Sequence, residues 1–301
     1  MKNLTLKQLR YMDALAREGH FGRAAAACSV TQPALSMQIK ELEAEFGLAL
    51  FERGGGRVRL TGFGERVHAR ARTILRDVDE LGDLARAAGT SLVGRLRLGI
   101  IPTIAPYVLP QIVGRLALQY PEIDLNIRET LTGRLLEDLN AGALDCAVLA
   151  LPVSEPGLAE MPLYAEDFVL VRPNTDAHAP VPDATELAQM RLLLLEEGHC
   201  FRDQALSFCS TRPTLSREGL DGSNLSTLVQ MVGAGIGVTL IPDMAVGIET
   251  RSAPVSVARF PSPAPNRTIG MVWRKTSPLA DRLSALAQVV EGAFQAAPPP
   301  P

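Results

Sequence analysis

Cysteine is scarce in this chain of 301 residues. The four present, at positions 28, 146, 200 and 209, are too few for a disulfide framework. They also include no closely spaced pair of the kind that opens a structural zinc site. Long apolar runs are missing too: no stretch approaches the roughly 18 uninterrupted apolar residues of a membrane-spanning helix. The first twenty residues carry Lys2, Lys7, Arg10, Asp13, Arg17 and Glu18 where a signal peptide would be apolar. The expectation is a cytoplasmic protein, with no membrane partner, whose cysteines stay reduced unless chemistry oxidises them. With 47% apolar and 21% charged residues the composition is that of a globular chain, and the length leaves room for two or three domains.

A strong basic surplus is also lacking, since the net charge is −3. Taken alone that argues against a nucleic-acid binder, but the charge is unevenly spread. Residues 1–60 hold nine Lys or Arg against six Asp or Glu, residues 61–90 balance at five each, and the remainder holds 16 against 22. A basic amino-terminal module on an acidic body points to a local anionic partner.

The module itself, "LTLKQLRYMDALAREGHFGRAAAACSVTQPALSMQIKELEAEFG", divides into three helices. Thr5 and Gln8 have capping-box spacing, Leu9, Met12 and Leu15 with Ala16 form a stripe, and Gly19 stops the first helix. A short alanine-rich helix covers about Gly22 to Cys28. Thr31 then offers an N-cap with Pro33 in the first turn. On this third helix Leu35, Ile39 and Leu42 share one face, so Pro33, Ser36, Met37 and Lys40 occupy the other, with Gln32 at the tip. That outer face is short, polar and basic, as a major-groove reader requires. In "LFERGGGRVRLTGFG", Arg53, Arg57 and Arg59 flank a Gly54-Gly55-Gly56 turn, a basic hairpin that can lie along phosphates. An unrelated three-helix packing motif with ordinary surface arginines fits the helix pattern as well.

The stretch "AAAACSVTQPALSMQIKELEAEFGLALFERGGGRVRLTGFGE" resembles the winged helix-turn-helix of LysR-type transcriptional regulators. It has their paired alanine, Gln-Pro-x-x-Ser-x-x-Ile-x-x-Leu-Glu, Leu-Phe-x-Arg and Leu-Thr-x-x-Gly. The resemblance implies that Thr31, Gln32, Pro33, Ser36, Lys40 and, at the wing, Arg53 face double-stranded promoter DNA. The triple glycine departs from the polar or basic wings of many relatives.

From Thr61 to about Ala88 a helix carries Val67, Ala71, Ile74, Val78, Leu81 and Ala85 at alternating spacings of four and three. That is a heptad seam about three heptads long, or else the buried face of a helix packed on its own chain. "GTSLVG" marks a boundary near residue 90. Beyond it, "GRLRLGII", "IDLNIRE", "LDCAVLAL", "DFVLVRP", "RLLLLEE", "GVTLIP" and "TIGMVW" read as strands alternating with helices, an α/β body with mostly parallel sheets. The glycines of "GAGIG" follow a helix and precede a strand, the reverse of a dinucleotide fingerprint.

The family resemblance extends to this body. It implies a winged helix-turn-helix over 1–60, a dimerisation helix and hinge over 61–92, and an effector domain over 93–295. That domain would be two Rossmann-like halves, 93–166 with 267–295 and 167–266, similar to periplasmic binding proteins. Residues 296–301 would be a flexible tail.

Cys28 in an alanine-rich helix and Cys146 in "LDCAVLAL" sit where a free cysteine behaves as a small buried hydrophobe. In "EEGHCFRDQALSFC" the setting differs. His199 and Arg202 can lower the pKa of Cys200, while Asp203 opposes them unless an arginine occupies it. Sequence adjacency leaves a structural cysteine, a reactive one and a metal ligand all open, although Cys-x8-Cys lacks the ligands of a closed zinc site. The same segment is similar to the redox segment of the peroxide-sensing branch of the LysR family. By that resemblance Cys200 is the peroxidatic cysteine and Cys209 resolves it to a disulfide, with His199, Arg202 and Asp203 around them. Thr103 in "IPT" and Thr132 in "RETLT" would place hydroxyls near the oxidant. It also implies hydrogen peroxide, RNA polymerase and a cellular thiol reductant as partners, a homodimer or homotetramer, neither cofactor nor metal, and regulation instead of catalysis. Two rivals are a LysR-type regulator gated by a small organic effector and a two-cysteine thiol peroxidase. A helix carried from Cys200 to Cys209 would hold their Cα atoms about 13 Å apart, beyond disulfide reach.

Overall fold

The computed structural model describes residues 4–52, 57–87, 93–208 and 221–295, and within these not the side chains of 83 and 85–87. Arg53, the Gly54–Gly56 turn, the hinge at 88–92, Cys209 and the 296–301 tail lie outside the described residues. The chain separates into two compact units, Met1–Leu84 and Ala85–Pro301.

In the first unit, α1 (Leu6–Glu18), α2 (Phe21–Ala27) and α3 (Gln32–Phe46) precede a two-stranded ribbon and a long helix. The Thr5/Gln8 capping box forms as spaced: the Gln8 amide donates to Thr5 Oγ1 at 3.2 Å and the Thr5 amide to Gln8 Oε1 at 3.1 Å. Gly19 ends α1 at φ +60°, a conformation that costs a side-chain-bearing residue energy. His20, unforeseen from the sequence, caps α2 by accepting from the Gly22 and Arg23 amides. Thr31 holds the N-cap backbone position of α3 but its hydroxyl makes no capping bond, so the first turn rests on Pro33 and backbone geometry. Leu35, Ile39 and Leu42 are fully buried among Met12, Leu15, Ala24 and Phe51.

β1 (Phe51–Glu52) and β2 (Arg59–Leu60) pair antiparallel, Phe51 opposite Leu60. α4 (Gly62–Ala87) follows. Its apolar seam divides. Val67 and Ala71 pack into the head, where His68 Nε2 lies 3.0 Å from Asp13 Oδ1 on α1. Ile74, Leu81 and Leu84 stay exposed, Leu81 by 65%. The amino end of the heptad is therefore spent on its own chain and only the carboxy end is left for a partner.

The second unit runs β3 (Gly94–Ile100), α5 (Ala105–Gln119), β4 (Ile123–Glu129), α6 (Thr132–Asn140), β5 (Cys146–Leu151), β6 (Leu158–Pro173), α7 (Ala184–Gln189), β7 (Leu192–Leu193), α8 (Cys200–Phe208), α9 (Leu225–Gly233), β8 (Val238–Pro242), α10 (Val246–Glu249), β9 (Val255–Arg259), β10 (Asn266–Arg274) and α11 (Ala280–Gln295). One eight-stranded sheet has the order β4-β3-β5-β10-β6-β8-β7, with β9 also on β6. The expectation of mostly parallel pairing holds only at its two flanks, β4-β3-β5 and β7-β8. β10 and the 16-residue β6 cross between the flanks and are antiparallel to their neighbours. β6 alone reaches both sides, pairing with β10 through Leu158–Asp167 and with β8 and β9 from Phe168 on, and it ties the two βα clusters into one body. β5 and β8 are almost wholly buried, as their unbroken apolar runs require.

Candidate functional site

Parallel strands leave their carboxyl ends beside helix starts, where ligands of α/β sheets gather. β3 ends at Ile100 and the turn after it carries Thr103; β4 ends at Glu129 and Thr132 opens α6. Thr103 is 3% exposed, and Thr132 Oγ1 is buried without a hydrogen-bond partner among the described residues. The loop before α8 comes to the same place. Gly198 adopts φ +95°, and a Cβ there would lie 3.1 Å from Leu131 Cδ1, next to Thr132. His199 follows, buried, and then Cys200 as the first residue of α8.

Cys200 is half-buried and its thiol is free; among the described residues no group hydrogen-bonds its sulfur. His199 titrates below the ordinary histidine range because burial penalises its charge, against the opposing pull of Glu196. It is thus a neutral imidazole near pH 7. Arg202 turns elsewhere: Nη1 donates to the Leu195 carbonyl at 2.6 Å and lies 3.0 Å from Asp221 Oδ1. Its visible role is to pin the α8 loop. Asp203 is exposed in the first turn of α8, a favourable place for a carboxylate.

Two residues unforeseen from the sequence complete the floor. Arg267, at the start of β10, donates from Nη1 to Thr103 Oγ1 at 2.9 Å and from Nη2 to the Thr103 carbonyl at 3.0 Å. It pairs with buried Glu166 at 2.7 Å, and its guanidinium lies 5.5 Å from the ring centre of Phe201, the residue after Cys200. Burial pushes Glu166 above the ordinary carboxylate range while Arg267 pulls it back. A charged residue opening the apolar strand "NRTIGMVWR" was the only sequence signal for Arg267. Arg267 thus links Thr103 to Phe201, the residue after Cys200, and Gly198, the residue before His199, faces Leu131, the residue before Thr132.

The other cysteines differ. Cys146 is fully buried at the start of β5 and burial drives its thiol well up. Cys28 is half-buried at the end of α2, also with a raised pKa from burial. Among the described residues no group of three or more His, Cys, Asp or Glu could hold a metal, and no helix is long and apolar enough to cross a membrane.

On the first unit, Thr31, Gln32, Pro33 and Lys40 are exposed on α3 and Ser36 is half-exposed, all opposite the buried Leu35, Ile39 and Leu42. They make one continuous outward face.

Residues 6–65 match the family described as bacterial regulatory helix-turn-helix protein, lysR family, and residues 89–295 match the LysR substrate binding domain. The chain is 42% identical over 299 residues to a probable hydrogen peroxide-inducible genes activator of Streptomyces viridosporus, covering 98% of this chain and 96% of the relative. Among solved structures it resembles full-length OxyR of Pseudomonas aeruginosa with a cysteine-to-aspartate substitution, at TM-score 0.75 and 37% identity, covering 96% and 95% of the two chains. It also resembles an H2O2-bound cysteine-to-serine variant of Corynebacterium glutamicum OxyR, at TM-score 0.67 and 37% identity, covering 98% and 94%.

Proposed function

This chain belongs to the LysR family of bacterial transcriptional regulators, and from that premise we propose that it is a DNA-binding regulator that senses hydrogen peroxide at Cys200. The observation that carries this reading is a free thiol at the start of α8, with neutral His199 beside it and two buried threonine hydroxyls at the ends of β3 and β4. Hydrogen peroxide both donates and accepts hydrogen bonds, and two hydroxyls can meet both needs. The relatives named for peroxide induction, and the relative solved with H2O2, support the choice of oxidant.

The chemistry balances as follows. The Cys200 thiolate attacks one peroxide oxygen, the O–O bond breaks, and the product is a sulfenic acid plus hydroxide, which takes up a proton to become water. The Cys209 thiolate then attacks the Cys200 sulfur, forming the S–S bond and releasing the second oxygen as water. Two thiols lose two electrons and peroxide gains them. A cellular dithiol reverses the step by exchange, so the protein turns over only when reduced.

Residues 1–60 would read promoter DNA through Gln32, Ser36 and Lys40, with Thr31, Pro33 and Arg53 on the backbone, while 61–92 dimerise and 93–295 sense. The exposed Ile74, Leu81 and Leu84 stripe supports a partner helix, giving a homodimer or a pair of dimers. RNA polymerase is the machinery such a promoter-bound regulator would address.

Non-reducing peptide mapping after peroxide treatment, with DNA footprinting on the same samples, tests the reading. A Cys200–Cys209 disulfide and an altered footprint are expected, both lost in Cys200→Ser. Normal peroxide response in Cys200→Ser would favour an organic effector. Turnover of many peroxide equivalents per chain would favour a thiol peroxidase.

A further inference from the structure

Glu166 and Arg267 form an ion pair that is essentially withdrawn from water. Such a pair is a poor device for stability, because well-packed apolar residues of similar volume serve as well or better. What distinguishes it is direction. One carboxylate oxygen of Glu166 takes both Nε and Nη2 of Arg267, each at 2.7 Å, and the other accepts the Met244 amide at 3.2 Å. The carboxylate is thus anchored to the loop after β8 and grips one edge of the guanidinium. The other edge is held against Thr103, with Nη1 on its hydroxyl oxygen and Nη2 on its carbonyl.

The consequence is for one hydrogen atom. A guanidinium only donates, so Thr103 Oγ1 must accept from it, and the hydroxyl hydrogen is left to be donated elsewhere. Among the described residues that hydrogen has no acceptor. Thr132 Oγ1, buried and unpartnered, retains its lone pairs. A neutral diprotic oxidant that reached both would meet one hydroxyl committed to donate and one free to accept.

We propose that Glu166 is a positioning residue for peroxide reduction: by fixing Arg267 it sets the Thr103 hydroxyl as a hydrogen-bond donor to the oxidant. The inference rests on the peroxide-sensing reading above. Glu166 would act on the reaction only through Arg267 and Thr103, touching neither sulfur nor peroxide.

The test is a double-mutant cycle on the reduced full-length protein, with Glu166→Gln, Thr103→Val and the double variant. Oxidation of Cys200 by hydrogen peroxide is followed by stopped flow, and alkylation of Cys200 by iodoacetamide, which needs no oriented hydroxyl, is followed by peptide mass mapping. Loss of one oriented hydrogen bond should slow peroxide oxidation by about tenfold in each single variant. The double variant should be no slower than Thr103→Val alone, and alkylation should hold within about twofold in all three. Additive losses, or alkylation falling in step with oxidation, would mean that Glu166 only supports the fold and would overturn the inference. Wild-type oxidation in Glu166→Gln with slow Thr103→Val would overturn it while leaving the peroxide reading intact. Peroxide indifference of Cys200→Ser separates the two further, since its absence sinks the reading itself. If Glu166→Gln fails to fold, Glu166→Asp, which keeps the charge but shortens the reach, enters the same cycle with the same expectation at smaller size.

Discussion

His199 is buried where it cannot be charged cheaply, and this has a pH signature. Its folded pKa lies below the ordinary histidine value of about 6.5, so the unfolded chain takes up a proton before the folded one does. Its contribution to stability is therefore complete above about pH 6.5 and is lost as pH falls from there toward the folded pKa. Urea midpoints of the reduced protein should drop as pH falls below about 6.5, and His199→Asn should flatten that part of the curve. An unchanged slope in the variant would show that other groups cause the drop. Cys146 makes the opposite case: it is fully buried on β5, paired with Trp273 of β10. Cys146→Ser should cost about 1–3 kcal/mol by burying a hydroxyl, yet peptide mapping should show normal oxidation of Cys200. Among the described cysteines, burial and helix position add to what the charged neighbours of Cys200 already suggest.

Helices and caps were the legible level. The capping box at Thr5, the stop at Gly19 and the Leu35/Ile39/Leu42 face of α3 depend on spacings of three and four, and these are local. Gln32→Ala and Ser36→Ala should therefore abolish specific DNA binding while leaving the module folded, because neither side chain supports the core. Unchanged footprints in both would remove α3 as the reading helix. α4 was legible only in period. Which half of its seam faces the protein's own head depends on the path of α1, which no local pattern records. Leu81→Asp, at a site 65% exposed, should leave the thermal midpoint nearly unaltered but weaken dimerisation by at least about tenfold in sedimentation. A wild-type dimer would place the interface elsewhere. On α8, residues Cys200–Phe208 are helical, so Cys200 starts a rod that ends beside position 209.

At the scale of the molecule, the disulfide proposed above would have to undo that rod. A disulfide needs Cα atoms within about 7 Å, whereas the eight helical steps from Cys200 to Phe208 alone span about 12 Å. Bridging Cys200 to Cys209 should unwind α8, pull Phe201 from its edge contact with Phe168 and from beneath Arg267, and expose amides across 199–208. Hydrogen exchange should rise there on oxidation and stay level in Cys209→Ser. Equal exchange in both redox states would sink the unwinding mechanism. A second tie spans the same unit: Tyr107 on α5 donates to Glu249 on α10 at 2.7 Å, and Ser226 on α9 donates to the other carboxylate oxygen. Rearrangement of α8 takes place within a body that these buried bonds hold together.

The linear chain by itself determined the helical periods, the outward polar face of α3 and the segment around Cys200, because each depends on residues within about ten positions of one another. The tertiary structure alone decided the rest. Arg267 and Glu166 lie 101 positions apart and Arg267 and Thr103 lie 164 apart, and each pair meets only because β6 and β10 cross the sheet antiparallel. Likewise Arg202, two positions from the cysteine in sequence, is drawn away to Asp221 and the Leu195 carbonyl. A side chain five bonds long goes to the acceptors that surround it in space, and its place in the sequence does not record where those are.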